Sequence, residues 1–412
     1  MLLMRKFLVL AFLSISIFTF GQTTSGLVAH YLFDGDLRDN RGNSINEGIP
    51  LTEPSFGCGI NGQSLIFNGG TDELRFDGGV STEFNNTEDF TVSIYFKARS
   101  TPGLMYLLSK QPMSCSQDST ISIRYAPLSN TINVFLKERD GRQVNIIDQL
   151  SADRCWHHVV VSRNAGRVRL YGDGSFLQEQ AIIGRIDLRN FGNLILGSSD
   201  CLGQNELPFN GFMDEVRVYN RALNDNEIRD LFLAPETIAT QDTVIFLGGS
   251  VPVDLQGANC SSNVTWSPIS GIQNPNSAST VITPFAPGDF FYSANIFDAT
   301  SSCVATDSIR ITVVDPNTLD CSQAYLPSAF TPNDDGLNDS YGLSNPFAIQ
   351  QLLSFEIFDR WGSRVFASVD PFQRWDGSFK NQELNPGVFR YKVRFICNGE
   401  EKENFGTLML MR

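Results

Sequence analysis

The chain has 412 residues, of which 42% are hydrophobic and only 18% are charged, and it contains 34 Gly and 18 Pro. This composition is typical of a chain of several β domains. Its 45 acidic and 31 basic residues give a formal net charge of −14, which excludes binding to nucleic acid or anionic lipid through a basic surface.

The N-terminus has the pattern of a secretory signal peptide. Arg5 and Lys6 precede an uncharged apolar run, residues 7–20, that ends at Gly21. The run is too short to span a bilayer comfortably, and no second apolar segment follows. We therefore expect residues 1–21 to be a signal peptide, and we expect an exported protein that is not an integral membrane protein.

Residues 26–234 alternate apolar and polar side chains in short segments separated by Gly, Asn, Asp and Ser turns. The clearest segments are residues 90–97, 120–125, 131–136, 156–162 and 168–171. Many short strands without intervening helices predict a β-sandwich. The predicted fold class is thus all-β and multidomain, with this segment as its first domain.

Four motifs follow one another in this segment: Leu32-Phe-Asp-Gly35, Trp156-His-His-Val-Val160, Leu194-Ile-Leu-Gly197 and Gly211-Phe-Met-Asp-Glu-Val-Arg-Val-Tyr-Asn-Arg-Ala-Leu223. With them the segment resembles laminin-G-like domains of the concanavalin A jelly-roll type. The resemblance implies binding of a carbohydrate or a protein ligand, often with a structural Ca²⁺. After the last motif, Asn224 and Glu227 have the spacing of a capping box, which predicts a short closing helix.

Oxygen-bearing side chains crowd one turn of this domain. Asp34, Asp36, Asp39 and Asn43 are hard ligands of the kind that Ca²⁺ prefers, and we expect Asp214 on the last strand to pass nearby. The sequence therefore predicts a structural Ca²⁺ site at Asp34, Asp39, Asn43 and Asp214. A solvated acidic turn explains the same pattern.

No catalytic residues are predicted. The sandwich glycosidases need two carboxylates across a cleft, and no Glu-x-Asp-x-Glu strand supplies them. Asp214 and Glu215 are adjacent, so on a regular strand they point to opposite faces. We interpret His157 and His158 as strand residues, one packed and one exposed.

Residues 235–316 repeat the alternation in about seven short strands, which predicts an immunoglobulin-like sandwich. The motifs Val264-Thr-Trp-Ser-Pro268 and Cys303-Val-Ala-Thr-Asp-Ser-Ile309 resemble polycystic-kidney-disease-type and related Ig-like repeats. Trp266 is then expected in the core. The resemblance implies a module that spaces and stiffens the chain.

Residues 321–412 form a third predicted domain. It opens with Leu326-Pro-Ser-Ala-Phe-Thr-Pro332, continues through Arg374-Trp-Asp-Gly377 and closes with Gly406-Thr-Leu-Met-Leu-Met-Arg412. These ordered motifs resemble the gliding-motility-associated C-terminal domain, the type B sorting signal of type IX secretion. The resemblance implies the type IX secretion machinery as a partner, and delivery through the periplasm to the outer cell surface or the medium. Trp361 and Trp375 are expected to pack in its core.

The opening loop of this domain also has the spacing of a Ca²⁺ loop. Asn333, Asp335 and Asp339 place oxygen side chains around Gly336, although Gly342 stands where an EF-hand has its bidentate Glu. Ca²⁺ is therefore predicted here too, and a network of Asx turns is the alternative.

Eight cysteines in an exported chain predict disulfides. We expect Cys260–Cys303 and Cys321–Cys397, because the members of each pair share one predicted domain. In the jelly roll we expect Cys115–Cys155 and Cys58–Cys201.

These features together predict a secreted or surface-attached, non-enzymatic binding protein for a glycan or a surface protein ligand. A glycoside hydrolase or lyase on the jelly roll is one alternative. The other is a structural adhesin that contacts protein.

Overall fold

The computed structural model describes residues 24–86, 89–116, 119–138, 141–181, 187–256, 263–333, 337–380 and 382–411. Two compact units divide the chain. The first contains the residues up to Pro235 together with the segment Asp298–Val304, and the second contains Glu236–Phe297 and Ala305–Arg412. The predicted signal peptide lies outside the described residues.

The first unit is built almost entirely of strands. They are β1 Leu27–Tyr31, β2 Ile49–Pro50, β3 Ser55–Cys58, β4 Gln63–Asn68, β5 Leu74–Phe76, β6 Phe90–Ala98, β7 Leu104–Lys110, β8 Thr120–Ala126, β9 Thr131–Lys137, β10 Gln143–Gln149, β11 His157–Asn164, β12 Arg167–Gly172, β13 Ser175–Ala181, β14 Leu194–Leu196, β15 Glu206–Pro208 and β16 Asn210–Tyr219. Its helices are α1 Val80–Asn86 and α2 Asp225–Asp230.

These strands form two sheets that enclose one hydrophobic core. Sheet A has the order β13-β12-β11-β6-β16-β4-β3, with β1 also paired to β16. Sheet B has the order β10-β9-β8-β7-β14-β5-β2, with β15 parallel to β7. The side chains packed between the sheets are mostly β-branched and aromatic, as a pleated surface favours, and include Val92, Ile94, Phe96, Ile123, Val134 and Val161.

Helix α2 confirms the predicted capping box. The Asn224 side chain accepts from the backbone N–H of Asn226 and Glu227, while the Glu227 carboxylate accepts from the N–H of Asn224. The backbone N–H groups of Asn224, Asn226 and Glu227, at the start of this short helix, are thereby hydrogen-bonded.

A β-bulge interrupts β16 between Asp214 and Arg217, and Glu215 there has a φ of 48°. The bulge overturns the expectation that Asp214 and Glu215 point to opposite faces, since both carboxylates reach Asn61. An extra residue in one strand shifts the side-chain alternation, which the sequence pattern does not reveal.

The second unit is also built of strands, and they confirm the all-β prediction. They are β17 Thr243–Phe246, β18 Val251–Asp254, β19 Asn263–Ser267, β20 Ser279–Ile282, β21 Gly288–Asp298, β22 Cys303–Val314, β23 Ala329–Phe330, β24 Gln351–Phe358, β25 Arg364–Ser368, β26 Ser378–Phe379, β27 Gln382–Glu383, β28 Gly387–Cys397 and β29 Glu400–Leu410.

Two small sheets, β17-β22-β21-β19 and β18-β20, make up the first part of this unit, and a five-stranded sheet β23-β29-β28-β24-β25 dominates the second. Trp266 is buried, as predicted, and its indole N–H donates to the carbonyl of Ser277. Trp375 is buried as well, but Trp361 is 84% exposed. Its predicted place in the core is wrong because it lies on the turn between β24 and β25, beyond the end of the sheet.

The disulfides correct most of the predicted pairing. Cys321–Cys397 is present, which confirms that prediction. Cys115 bonds to Cys201, and Cys155 bonds to Cys303, so the predicted Cys115–Cys155, Cys58–Cys201 and Cys260–Cys303 pairs are wrong. The physical reason is that Cys303 lies at the edge of the segment Asp298–Val304, which belongs to the first unit. Cys58 is also disulfide-bonded, and Cys260 lies outside the described residues.

Candidate functional site: a groove on the outer face of sheet B

The outer face of sheet B carries a polar and aromatic surface. Along β8, β9 and β10 every second side chain points into the core. The core positions are filled by Ile, Val, Leu and Tyr125, whereas the intervening positions are mostly polar. These outward residues include Ser122, Arg124, Thr131, Asn133, Phe135, Asn145 and Ile147.

Strand register sets the outward side chains in two rows across the sheet. In the first row Arg124 lies opposite both Asn133 and Tyr106, and Asn133 lies opposite Ile147. In the second row Phe135 lies opposite Ser122 and Asn145. Side chains directly opposite one another on one face are in contact range, so residues distant in sequence form one surface.

These rows line a groove of about 440 Å³. Leu104, Tyr106 and Gln111 from the β7 segment complete its wall beside the seven residues above. A concave surface of this volume, with aromatic rings and convergent polar groups, is the usual form of a small-molecule binding site.

Arg124 is the electrostatic centre of the groove. Its Nη1 donates to Glu206 Oε1 over 2.5 Å, and its Nη2 donates to Asn133 Oδ1. The guanidinium also lies over two rings, 5.6 Å from the centroid of Tyr106 and 6.0 Å from that of Phe135. Contacts on three sides hold its planar group in one orientation.

Glu206 fixes the other side of this network. Its Oε2 accepts from the Tyr106 hydroxyl over 2.8 Å and from the backbone N–H of Gly203 over 2.7 Å. Burial, followed by the hydrogen bond to Glu206, raises the pKa of Tyr106 to about 12. Tyr106 therefore stays a neutral donor throughout the physiological range.

One donor in the groove has no protein acceptor. The Arg124 Nε–H is buried and has no hydrogen-bond partner among the described residues. Buried polar groups in folded proteins are almost always paired, and leaving one unpaired costs about 1–3 kcal/mol. Because this N–H has almost no accessible surface, it does not face the space in which a ligand of the groove would lie.

The groove is not evident from the sequence alone. The alternation of side chains does mark the residues that face outward. Arg124 interrupts an apolar strand, and Asn133 and Phe135 alternate with core residues on the next strand. What was missing was the register that brings four strands' side chains to the same place.

The carboxylates predicted to bind Ca²⁺ in the first unit accept hydrogen bonds from the chain itself. Asp34 Oδ1 accepts from the N–H of Gln63 over 2.7 Å, and the Asp39 carboxylate accepts from the N–H of His30 and from the Asn46 side chain. Asn43 is exposed and precedes a 3-10 turn without capping it.

Asp214 is likewise occupied, with Oδ2 accepting from the N–H of Ile60 over 2.8 Å. Burial and the neighbouring Glu215 raise the pKa of Asp214 to about 8. Glu215 in turn contacts His30 Nε2 and Arg217 Nη2, each over 2.6 Å. The structure therefore places Asp214 in a buried polar network, against the same 60–63 turn whose Gln63 N–H donates to Asp34.

In the second unit, Asp339 Oδ1 accepts from the N–H of Asn333 over 2.9 Å, and Asp335 lies outside the described residues. Throughout the part of the chain that the structure describes, no three His, Cys, Asp or Glu side chains are grouped so that they could hold a metal ion. Ca²⁺ binding stays a prediction.

His157 and His158 are both buried, so the expectation that one is exposed is wrong. His157 Nδ1 contacts Asp173 Oδ2 over 3.2 Å. His158 stacks on Tyr95 at 4.2 Å and faces Phe232 at 6.0 Å, because the segment after α2 covers the outer face of β11. Neither His lines the groove.

Two segments of the chain match models of known protein families. The family model Laminin_G_3, of the concanavalin A-like lectin/glucanases superfamily, matches residues 68–229, and the CHU_C Type IX secretion signal domain matches residues 324–410. The chain therefore carries a concanavalin A-like domain and a type IX secretion signal domain, as predicted. The Ig-like identity of the middle segment and the domain boundaries stay predictions.

The signal domain marks the protein for export by type IX secretion, to the outer surface or the medium. This domain indicates an interaction with the secretion machinery. Among the described residues, no helix has the length and apolar character that crossing a membrane requires.

Several solved structures resemble part of the fold. Domain 4 of a GH43 extracellular arabinanase from Geobacillus stearothermophilus, in complex with arabinotriose, is 20% identical, with 50% of this chain and 98% of that chain covered and a TM-score of 0.40. The CBM40 of a Ruminococcus gnavus IT-sialidase bound to α2,3-sialyllactose is 19% identical, with coverages of 46% and 99% and a TM-score of 0.35.

The receptor-binding domain of botulinum neurotoxin D is 13% identical, with coverages of 67% and 74% and a TM-score of 0.41. A search of curated proteins found no match.

Proposed function

We propose that this exported protein is a non-enzymatic binding protein that holds a glycan in the groove of sheet B. The observation that carries the proposal is the lining of this groove, in which the amide side chains of Asn133 and Asn145 lie beside the aromatic ring of Phe135. A sugar hydroxyl is an acceptor and a donor at once, so it can pair with an amide such as Asn145.

The charge of the groove favours a neutral ligand. The Arg124 cation is already paired with the Glu206 carboxylate, so a ligand with its own net charge gains no opposite charge there. The half-buried Phe135 ring adds an apolar surface on which the C–H face of a sugar can pack. A neutral saccharide combines these features in one molecule.

The residues in the groove support binding without turnover. None of the described residues that line it is acidic, whereas glycoside hydrolysis in most families uses a pair of carboxylates. Glu206, beside the groove, is already paired with Arg124 and bonded to Tyr106. A carboxylate in this state is a positioning group for Arg124, so we expect neither hydrolase nor lyase activity.

Three forms of the mature chain on a glycan array test the proposal: the wild type, Phe135→Ala, and Phe285→Ala as a control. Phe285 is an exposed aromatic residue of the second unit. We expect saccharide binding by the wild type and by the control, and a loss of about tenfold or more in affinity for Phe135→Ala, equivalent to about 1.4 kcal/mol.

Binding that Phe135→Ala leaves unchanged would place the glycan elsewhere. An array on which nothing binds, combined with capture of a purified surface protein that depends on Phe135, would favour the protein-binding adhesin instead.

A further inference from the structure

A second, smaller concavity lies beyond the Gln111 end of the groove. It has a volume of about 280 Å³ and is formed by two loops of the first unit. We call it the Phe191 platform, and its described lining residues are Pro112, Met113, Ser114, Ser116, Ser119, Arg189, Asn190 and Phe191.

Phe191 is 97% exposed and Met113 is 74% exposed. Because the Phe191 ring is almost fully exposed to solvent, its burial contributes nothing to the stability of this fold. Polar side chains surround it, and Arg189 beside it is bonded through its guanidinium to Asp187. Phe191 and Met113 line the same concavity, so they form one apolar patch with a polar rim, which is the arrangement of a binding surface.

The loop that presents Phe191 is firmly held. The buried Lys110 ammonium donates to the carbonyl of Gly192 over 2.6 Å and to that of Asn190 over 3.3 Å. Asn190 in turn donates to the carbonyl of Ser119 over 2.6 Å and accepts from the N–H of Gly192 over 2.8 Å. The ring is therefore exposed on a fixed loop.

The platform and the groove are lined by consecutive residues of the chain. Gln111 lines the groove and is followed by Pro112, which lines the platform. Gly192, which follows Phe191, packs so closely on Gln111 that an added Cβ would lie 1.6 Å from the Gln111 carbonyl oxygen. The two concavities thus lie next to each other at Gln111 and Pro112, and the Cys115–Cys201 disulfide holds the segment that follows Pro112.

We propose that the Phe191 platform is a second saccharide subsite that continues the groove, so that the first unit binds an internal stretch of a polysaccharide chain instead of a single terminal sugar. This inference rests on the proposed glycan binding in the groove. It is carried by a separate observation, the exposed Phe191 ring on a firmly held loop whose Gly192 packs on Gln111 of the groove. A chain lying across both sites would contact Phe135 and Phe191 together.

Calorimetry with the mature chain tests the subsite, with disaccharides and hexasaccharides of the cello, xylo, manno and arabino series as probes. For the series that binds, we expect the wild type to hold the hexasaccharide about tenfold more tightly than the disaccharide. Phe191→Ala should lose this gain and keep the disaccharide affinity, and Phe191→Trp should restore it. Phe176→Ala, at another exposed ring, is the matched control and should leave both affinities unchanged.

The outcomes separate the two proposals. Phe135→Ala should weaken both probes, because it acts on the groove itself. Disaccharide binding without a gain for the hexasaccharide, or a gain that Phe191→Ala preserves, overturns the subsite and leaves the groove intact. Equal weakening of both probes by Phe191→Ala also overturns it. Failure of every probe to bind removes both proposals.

Discussion

The buried His158 predicts a specific loss of stability in acid. It is 1% exposed, its Nε2 lies 2.8 Å from Ser93 Oγ, and its ring stacks on Tyr95. Burial lowers the pKa of His158 to about 3, with the Asp173 carboxylate opposing this shift and the Arg217 cation adding to it. The folded protein therefore holds this imidazole neutral.

In the unfolded chain the same residue has a pKa of about 6.5. Between about pH 6.5 and about pH 3 the unfolded state binds a proton that the folded state does not, so stability falls as the pH falls. At pH 5 the linkage relation gives a loss of about 2 kcal/mol relative to pH 7 from this one group.

The substitution His158→Gln isolates this effect, because Gln can keep a hydrogen bond to Ser93 but does not titrate. Hydrogen exchange of the amides of β6 and β11 gives the opening free energy of sheet A. We expect the wild type to lose about 2 kcal/mol more than His158→Gln between pH 7 and pH 5. An equal loss in the two proteins would refute the assignment of a neutral, buried His158.

Three further predictions concern the disulfides, Ca²⁺ and export. Replacing Cys155 and Cys303 together by Ser should lower the free energy of unfolding of the first unit by about 2–4 kcal/mol. Non-reducing peptide mapping that finds Cys303 bonded to any other cysteine would contradict the Cys155–Cys303 bond. If Ca²⁺ binds the folded chain, EDTA should lower the melting temperature; unchanged melting and no Ca²⁺ uptake in calorimetry would end that prediction. Deleting residues 406–412 should retain the chain in the periplasm, because β29 lies between β23 and β28 and buries Leu408 and Leu410. The control Met409→Ala changes an exposed position and should be exported normally. A truncated chain found in the medium at wild-type levels would argue against a folded export signal.

Local patterns in the sequence were sufficient for the features that depend on neighbouring residues. Alternation predicted an all-β chain, and the spacing of Asn224 and Glu227 predicted the cap of α2, which the structure confirms. The Cys321–Cys397 bond was predictable because both residues lie in one small domain. In each case the determining contacts lie within one motif or one domain.

The features that depend on distant parts of the chain were not predictable in this way. Cys155 pairs with Cys303 across a sequence separation of 148, and nothing in the spacing of cysteines specifies which loops approach each other. The cover over His158 comes from Phe232, far along the chain. The candidate site has the same origin, since Tyr106, Arg124, Asn133 and Asn145 become neighbours only through strand register.

The most direct test of the account is a crystal structure of the mature protein with a saccharide selected on the glycan array. We predict a sugar ring packed on Phe135, with one of its oxygens about 3 Å from the side-chain amide of Asn145, as a hydrogen bond requires. A saccharide bound at another surface, with the groove filled only by water, would contradict the assignment of glycan binding to sheet B.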